Sequence, residues 1–362
     1  MKKILFVFPY PSGTAASQRF RFEQYLHFLS EAGFTYKLSP FLNEKTWKIL
    51  YKEGFLWQKI SGILLGFLKR IFLMFSVWRY DFVFVHREAS PIGFPVFEWL
   101  IAKVFRKKMI FDFDDALWLP AISAQNTLAN LLKFHSKTKY LIRWSYKISA
   151  GNTYLAEQSR FFSRLENVIS SKINLIPTTI DTENLHNRIK NQDTEKFVIG
   201  WTGTHSTLPY LNEILPVIRK LEDSYDFTFM IICNKNPEFN LKSFHFLPWQ
   251  KATEIEDLLL MNSGVMPLTD DAWAKGKCGF KALQYMALGI PALVSPVGVN
   301  SEIIQNQENG FLCQSPEDWE KAMILLLENP EKRKIMGANA RKTIVEKYAV
   351  QANRAAFLGL FT

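Results

Sequence analysis

Three carboxylates lie within four residues in the first half of this 362-residue chain. Asp112, Asp114 and Asp115 follow a short apolar run, and His86 and Glu88 follow an earlier one. Carboxylates this close repel one another, so they need cations, hydrogen-bond donors or raised pKa values. We predict that one of the three caps the following helix and that another orients a substrate. All five side chains are candidate catalytic residues, with His86 as the nearby imidazole.

A second group of chemically competent residues, glycines and lysines, follows an apolar run in the other half. Glycine lets the backbone approach a ligand closely, and free amides at a helix start suit an anion. Lysine ammonium groups beside those amides favour a diphosphate. Two further loops, one in each half, also place glycine between a strand pattern and a helix pattern. The predicted diphosphate-binding residues are Gly13, Gly203, Thr204, Lys277, Cys278, Gly279, Phe280 and Lys281.

Two arginines next to these motifs are candidate ligands for an anion or an anionic acceptor. Arg19 follows the first glycine loop, and Arg87 lies in a His-Arg-Glu segment. Arg21 could meet the same anion, but we favour that role for Arg19 alone, which leaves Arg21 as a surface cation. A nicotinamide site is disfavoured, because the G-x-G-x-x-G fingerprint is absent and the second predicted strand ends at Ser39 rather than at an acid for a ribose hydroxyl.

An alternation of strand and helix patterns must position these residues. In the first half we predict strands at residues 3–8, 34–39, 81–86 and 109–112, and an amphipathic helix at 18–32. Strands separated by helical patterns indicate βαβ units and a parallel sheet. Each candidate residue then falls at the carboxyl end of a strand, where α/β sheets bind their ligands.

A second series of strands and helices follows the polar stretch 181–196, which is the best linker candidate. It begins with a strand at 197–202 and a helix from about 207 to 223, and a final helical stretch covers 330–360. We therefore predict an α/β protein of two Rossmann-like domains, 1–185 and 186–345, whose parallel sheets face a central cleft. The sequence does not show which domain residues 346–362 pack on.

Composition and charge exclude several classes of protein. Hydrophobic residues make up 48% of the chain, which excludes intrinsic disorder, and three cysteines without close spacing indicate neither a disulfide scaffold nor a cysteine zinc site. Residues 1–180 hold 25 Lys/Arg and 12 Asp/Glu, whereas the remainder holds 19 and 22. All of the net charge of +10 therefore comes from the first half, which favours an anionic partner there.

Residues 41–78 mix aromatic and basic side chains in a pattern typical of an amphipathic helix pair. The longest uncharged stretch, residues 60–68, is much shorter than the ~20 apolar residues that span a bilayer. Such a segment suits the interface of an anionic membrane. The alternative, that its side chains simply pack on the sheet, stays open, and the two are not exclusive.

Several segments together resemble GT-B-fold retaining glycosyltransferases of family 4. The strongest is the stretch from Gly276 to Pro291, which includes Gln-Tyr-Met-Ala-Leu-Gly-Ile-Pro, and the others are the Gly13 loop, HRE, DFDDALW, IPTTID and GWTGTHST. The resemblance implies transfer of a sugar from a nucleoside diphosphate sugar, with retention of configuration and no obligatory metal or other cofactor. It also places the donor in the C-terminal half and the acceptor in the basic N-terminal half. The Asp-x-Asp spacing is a metal motif in a different glycosyltransferase fold. Because the pattern of two Rossmann-like domains argues against that role here, we predict no metal ligands.

This sequence departs from the family pattern at two positions. Family members commonly carry two glutamates eight residues apart, and the matching residues here are Gly276 and Gln284. Gln284 keeps the capacity to hydrogen-bond a ribose hydroxyl through its amide. The contact of the first glutamate with the donor sugar is left without a residue.

We predict a cytoplasmic glycosyltransferase, peripherally associated with the inner face of the cell membrane, that acts on a glycan or lipid-linked acceptor in cell-surface polysaccharide or glycolipid synthesis. The donor carries UDP or GDP. The alternatives are a nucleotide-sugar epimerase and a non-catalytic nucleotide-sugar-binding or membrane scaffold protein. A nucleic-acid partner is not expected, because no recognition motif accompanies the basic charge.

Overall fold

The chain folds into two α/β units in a computed structural model that describes residues 1–50, 52–120, 134–165 and 172–362. The N-terminal unit comprises Met1–Thr178 together with Arg354–Thr362, and the C-terminal unit comprises Thr179–Asn353. The division after Thr178 falls near the predicted boundary at residue 185. The predicted fold class, two Rossmann-like domains with parallel sheets, is confirmed.

The four central strands of the N-terminal sheet are apolar runs that are buried along most of their length, as parallel strands covered on both faces require, whereas its two edge strands are more exposed. Its strand order is β2-β1-β3-β4-β5-β6, and every pairing is parallel. The pairing aligns His86 with Asp112 and Asp112 with Ser149, so the ends of β3, β4 and β5 are adjacent. The strands are β1 (Lys3–Phe8), β2 (Thr35–Pro40), β3 (Phe82–His86), β4 (Lys108–Phe113), β5 (Lys147–Ala150) and β6 (Ile173–Leu175).

Helices connect these strands, and the first of them departs from the sequence prediction. Instead of one helix over residues 18–32, two short α-helices flank a 3₁₀ turn at Glu23–Tyr25. The break lets Phe20, Arg21 and Phe22 all point into the interior, which a continuous helix does not allow for three successive residues. The helices are α1 (Ala16–Arg19), α2 (Leu26–Glu31), α3 (Glu44–Ile49), α4 (Leu56–Met74), α5 (Val96–Trp99, continued as a π-helix over Leu100–Val104), α6 (Lys137–Trp144) and α7 (Thr153–Leu165), with a 3₁₀ turn at Val77–Arg79 after α4.

The C-terminal unit repeats the parallel architecture with the strand order β12-β11-β10-β7-β8-β9. Its first connection is a 3₁₀ helix at His205–Glu213 followed by α8, rather than one α-helix from residue 207 to 223, because Pro209 and Pro216 interrupt the hydrogen-bond ladder. Strand β12 was not predicted. The strands are β7 (Phe197–Gly203), β8 (Phe227–Cys233), β9 (Phe244–Pro248), β10 (Ser263–Met266), β11 (Ala292–Val294) and β12 (Gly310–Leu312).

Short helices surround this second sheet and end in a longer C-terminal series. The predicted single helical stretch over residues 330–360 is divided at Ala349, which pairs with Ile180. None of the helices in the described ranges is long and apolar enough to cross a membrane. The helices are α8 (Leu215–Leu221), α9 (Glu254–Leu258), α10 (Ala272–Lys275), α11 (Phe280–Ala287), α12 (Asn300–Ile303), α13 (Pro316–Glu328), α14 (Pro330–Thr343, continued as a π-helix over Ile344–Tyr348) and α15 (Val350–Leu358).

The last residues of the chain pack against the N-terminal unit. Phe361 lies among aromatic rings of β1 and β3, with its ring 6.1 Å from that of Phe84, and Phe357 stacks on Tyr25 at 4.2 Å. Lys147 Nζ also donates to the carbonyl of Gly359 at 2.6 Å. These contacts answer the question that the sequence left open for the C-terminal segment.

Candidate functional site

Asp112, at the end of β4, is the centre of a buried polar network. Arg21 donates to both of its oxygens, Ser149 Oγ donates to Oδ1 at 2.6 Å, and His86 Nδ1 lies 2.7 Å from Oδ2. The same guanidinium also donates to the carbonyl of Ile176 and to Ser149. Three adjacent strands and the break after α1 therefore meet at one carboxylate.

The network keeps Asp112 ionised although it is removed from water. Burial raises the pKa of a carboxyl, but the charge and hydrogen bonds of Arg21 and His86 outweigh burial and hold the pKa of Asp112 well below its usual range. Asp112, Arg21 and His86 are each at most 2% exposed. This arrangement fits residues that position the end of β4 better than groups that touch a substrate. The interpretation of Arg21 as a surface cation is wrong, because its side chain lies in the interior.

Asp114 and Asp115 share a second cation and remain accessible to solvent. Arg87 Nε donates to Asp114 Oδ1 at 2.7 Å, and the same guanidinium reaches Asp115. Burial opposes ionisation of both partners, yet the pKa of Asp114 is lowered and that of Arg87 is raised because each carries the opposite charge. For Asp112 and Asp114 the predicted repulsion is therefore relieved by cations, not by protonation, and Asp115 pairs with the same guanidinium as Asp114.

The backbone at Arg87 takes up a conformation that suits this contact. Arg87 has a φ of +60°, in the left-handed region that non-glycine residues rarely adopt, and its amide donates to the carbonyl of Asp112 at 2.7 Å. This turn directs the chain back over the end of β4. A left-handed non-glycine residue at a strand end is a feature that often accompanies a functional site.

The remaining acid of this edge, Glu88, is also paired. Lys137 Nζ, from the start of α6, lies 2.5 Å from Glu88 Oε2 and donates to the carbonyl of Ser90 at 2.9 Å. Lys137 itself is buried. Sequence reasoning missed Lys137, because nothing in its local context distinguishes it from the other lysines of the chain.

The Gly13 loop already holds an anion from the chain itself. Gly13 adopts a φ of +72°, and its amide donates to both oxygens of Glu23, at 2.8 and 3.1 Å. The amide predicted to meet a diphosphate thus contacts an internal carboxylate. Arg19, at the end of α1, places its guanidinium 5.0 Å from the ring of Phe20.

In the C-terminal unit, the glycine- and lysine-rich loop lies between α10 and α11. Gly276 ends α10, and Gly279 precedes α11 with a φ of +66°. A Cβ at Gly279 would lie 2.4 Å from the terminal methyl group of Ile303, which can move aside, so it is the left-handed φ that favours glycine here. The side chains on either side of Gly279 fix this end of the loop, because Cys278 is buried and Phe280 is partly buried.

Lys281 brings this loop to the ends of the central strands of the second sheet. Its Nζ lies 5.3 Å from the ring of Trp201 in β7. Burial raises the pKa of Cys233, at the end of β8, and the nearby charge of Lys281 partly opposes that rise. Lys277 Nζ lies 5.6 Å from the ring of Trp273. The structure therefore brings Lys281 close to the strand end that carries Gly203.

The loop after β7 is ordered by its own hydroxyl groups. Thr204 and Thr207 form a reciprocal capping arrangement at the start of the 3₁₀ helix. The amide of His205 donates to Asn234 Oδ1 at 2.8 Å, which connects the ends of β7 and β8. A side chain at Gly203 would collide with Trp201, so this residue can only be glycine without rearrangement.

Gln284 is buried and lies next to a carboxylate that sequence reasoning missed. Its Nε2 lies 3.5 Å from Glu254 Oε1, at the first turn of α9. An amide at position 284 can donate to this carboxylate, whereas a glutamate there would repel it. Glu254, thirty residues earlier in the chain, therefore lies beside the position where this sequence has Gln284 in place of the glutamate of the family pattern.

The structure groups the predicted residues at two separate strand edges. His86, Arg87, Glu88 and the three aspartates lie at the edge of the first sheet, and Gly203, Thr204 and Lys281 lie at the edge of the second. Among the described residues, no group of three or more histidine, cysteine, aspartate or glutamate side chains is arranged to hold a metal ion.

Comparisons with known proteins agree with this architecture. Residues 230–343 match the model of the family described as Glycosyl transferases group 1. This match bears out the resemblance to group 1 glycosyltransferases over that segment, and it does not test the retaining, family 4 assignment. A stretch of 100 residues is also 30% identical to N-acetyl-alpha-D-glucosaminyl L-malate synthase of Bacillus anthracis, and it spans 27% of this chain and 25% of that protein.

Solved structures match over nearly the whole chain. Sucrose-phosphate synthase from Thermosynechococcus elongatus aligns with a TM-score of 0.67 and 13% identity, covering 100% of this chain and 98% of the other. Anabaena HepE in complex with UDP-glucose aligns at 0.68 and 13%, covering 99% of each chain. A glycosyltransferase from Rickettsia africae aligns at 0.69 and 11%, covering 99% and 97%. The chain has the GT-B fold.

Proposed function

We propose that this GT-B protein is a glycosyltransferase whose C-terminal unit binds a nucleoside diphosphate sugar. The observation that carries the proposal is the convergence of Lys281 with Trp201 and Gly203 at the carboxyl ends of β7 and β8. An ammonium group, a helix start and a glycine without a side chain at one strand edge are the features that a diphosphate needs. The match over residues 230–343 covers Lys281 and supports the same assignment.

We propose a uridine diphosphate sugar as the first donor to test. HepE, which shares the fold, is described in complex with UDP-glucose. In this chain the buried pair of Gln284 and Glu254 supplies amide and carboxylate groups that can bind ribose hydroxyls. GDP-sugars are the second donor class.

The chemistry that we propose for the donor side is charge stabilisation. The bond between the sugar C1 and the β-phosphate oxygen breaks, a new bond forms between C1 and an acceptor oxygen, and the proton of the acceptor hydroxyl passes to the leaving phosphate oxygen. In this proposal Lys277, Lys281 and the amide of Gly279 stabilise the negative charge that develops on the leaving diphosphate. This arrangement supports transfer without an obligatory metal, and the family resemblance favours retention of configuration.

On the acceptor side, we propose roles for the accessible acids rather than the buried ones. In this proposal Asp114 and Asp115, which Arg87 holds, orient an acceptor hydroxyl. Asp112 and His86 act as positioning residues. The basic surface of the N-terminal unit favours an anionic or lipid-linked glycan acceptor, as in cell-surface polysaccharide or glycolipid synthesis at the inner face of the membrane.

Calorimetric titration with UDP, GDP and their glucose conjugates tests the donor assignment. Loss of a hydrogen bond to a charged group costs about 1.5–3 kcal/mol, so Lys281→Ala should weaken donor binding by roughly 10- to 150-fold. Lys321→Ala, an exposed lysine of α13 in the same unit, is the matched control and should bind as the wild type does. An unchanged Kd for Lys281→Ala would refute the diphosphate assignment.

Product analysis tests transfer itself. Nucleoside diphosphate release that depends on an added glycan or lipid-linked acceptor, and that persists in EDTA, supports a metal-independent glycosyltransferase. An α-linked product from an α-linked donor, observed by NMR, supports retention. An epimerised nucleotide sugar formed from donor alone would indicate an epimerase, and tight donor binding without turnover across the acceptor panel would indicate a non-catalytic binding protein.

A further inference from the structure

Helix α4 packs against the rest of the N-terminal unit through one narrow side, which includes two glycines. A methyl group at Gly62 would lie 2.1 Å from Thr46, and one at Gly66 would lie 2.6 Å from Phe41. The two glycines therefore allow α4 to approach residues 41–46 closely. Positions three and four residues apart share one side of a helix. The buried residues of α4 all lie on that side; they are Gly62, Gly66, Arg70, Leu73 and Met74.

The opposite side of α4 and the turn that follows it form a continuous apolar surface. Trp57 is 79% exposed, Phe72 is 70% exposed and Phe75 is 73% exposed. Soluble monomers rarely expose contiguous apolar patches of this kind without a binding partner. We call this set the α4 apolar face, and it consists of Leu56, Trp57, Ile60, Leu64, Leu65, Leu68, Ile71, Phe72, Phe75 and Trp78.

The exposed charges of residues 41–79, the segment that carries the α4 apolar face, are mostly positive. No acidic residue lies within α4, and Glu44 and Glu53 are the only acids of residues 41–79. The exposed cations of the same segment are Lys45, Lys48, Lys52, Lys69 and Arg79. Exposed indole and phenyl rings beside lysines match the headgroup region of an anionic bilayer, where rings enter the interface and cations meet lipid phosphates. A second protein surface would need an acidic, apolar patch to match.

Arg70 connects this helix to the edge of the sheet that carries the candidate acceptor site. Its guanidinium donates to the carbonyl of Phe8 at 3.0 Å, to Ser39 Oγ at 2.8 Å and to the carbonyl of Ala89 at 2.7 Å. Burial lowers the pKa of Arg70 to about 10, against the charge of Glu98. The α4 apolar face is therefore fixed relative to the carboxyl ends of β1 and β2 and to the segment after β3.

We propose that the α4 apolar face docks the N-terminal unit on an anionic lipid bilayer, with α4 lying in the plane of the interface. This docking holds the strand edge that carries Arg87 close to the lipid headgroups. The choice of a membrane rests on the proposed function only where it concerns a lipid-linked acceptor, since the apolar face and its cations are properties of the surface itself.

Flotation of the full chain with lipid vesicles tests the docking. The wild type should bind vesicles of phosphatidylcholine with phosphatidylglycerol, and bind pure phosphatidylcholine at least tenfold less. The variant with Trp57→Ser, Phe72→Ser and Phe75→Ser removes three exposed rings and should lower the partition coefficient by at least about 100-fold. A matched control, Phe161→Ser with Leu175→Asn, removes exposed apolar side chains of the same unit outside this face and should bind like the wild type.

Two measurements separate this inference from its rivals and from the proposed function. Equal vesicle binding by the wild type and the triple variant would overturn the docking. So would the result that neither protein binds vesicles while the wild type, but not the triple variant, forms a concentration-dependent dimer. UDP titration of the triple variant confirms that it is folded and reports on the donor site separately. Retained nucleotide binding with failed docking contradicts only this inference, whereas docking by a protein that binds neither UDP nor GDP contradicts the proposed function.

Discussion

Replacing Arg21 by methionine tests whether the buried network at the end of β4 stabilises the N-terminal unit. Methionine keeps much of the volume but removes the charge that faces Asp112, and the carbonyl of Ile176 loses its donor. Breaking a buried ion pair by removal of one partner costs about 3–5 kcal/mol, because the remaining charge is left without compensation. We therefore expect one of the largest losses that a single substitution in this unit can produce.

Hydrogen exchange measured by mass spectrometry locates the loss within the chain. At about 1.4 kcal/mol per factor of ten, the amides of β4 should exchange roughly 100- to 4,000-fold faster in Arg21→Met than in the wild type. Amides of β8, in the other unit, should exchange at the wild-type rate. Arg160→Met, an exposed arginine of α7, is the matched control and should leave β4 unchanged.

The pH dependence gives the sign of the electrostatic contribution. In the wild type the pKa of Asp112 lies below its value in the unfolded chain, so its contribution to stability is present above about pH 4 and is lost as the pH falls towards the folded pKa. Without Arg21, burial dominates and raises the pKa of Asp112. The deficit of Arg21→Met should therefore grow as the pH rises through that raised value. A deficit in β4 protection below tenfold, or one independent of pH, would refute the reasoning; Asp112→Asn added to Arg21→Met should recover part of the loss.

Two further substitutions test contacts that the sequence did not reveal. Gln284→Glu places a second carboxylate beside Glu254, so we expect weaker UDP binding and a lower melting temperature at pH 7, with both recovered when Glu254→Gln is added; failure of the double variant to recover would contradict the contact. Glu23→Gln exchanges a charged acceptor for a neutral one at the Gly13 amide and should cost about 1 kcal/mol, seen as roughly fivefold faster exchange of residues 9–15, whereas unchanged exchange would show that the carboxylate does not hold the loop.

The fold was predictable because its strands are continuous apolar runs. Strands β1, β3 and β7 are buried over most of their length, as expected for parallel strands covered on both faces, and their spacing by helices leaves a doubly wound α/β architecture. Helix continuity was less predictable. Pro209 offered a local signal for the 3₁₀ segment after β7, but the break after α1 arises from a tertiary contact, the burial of Arg21.

The site was only partly predictable, because the partners of its acids lie far away in the sequence. The need for cations near the three aspartates follows from their spacing alone. Which cations meet that need depends on strand order, because β1, β3 and β4 are neighbours and bring Arg21 to Asp112 across 91 residues. Similarly, Glu254 reaches Gln284 only because both flank β10 and its neighbours in the folded sheet. A single sequence carries no local signal for either pairing.

Ion pairs at the strand edge do not neutralise the excess positive charge of the first half. The internal contacts at the strand edge pair fewer cations with more acids, so the rest of this half is more basic than its total implies. Solvent-exposed cations act over about 10 Å at 0.1 M salt, whereas the rings of the α4 apolar face act only on contact. Charge therefore selects the lipid and the orientation of the unit before the rings enter the interface. The cations and acids in question are Arg21 with Asp112, Arg87 with Asp114 and Asp115, and Lys137 with Glu88.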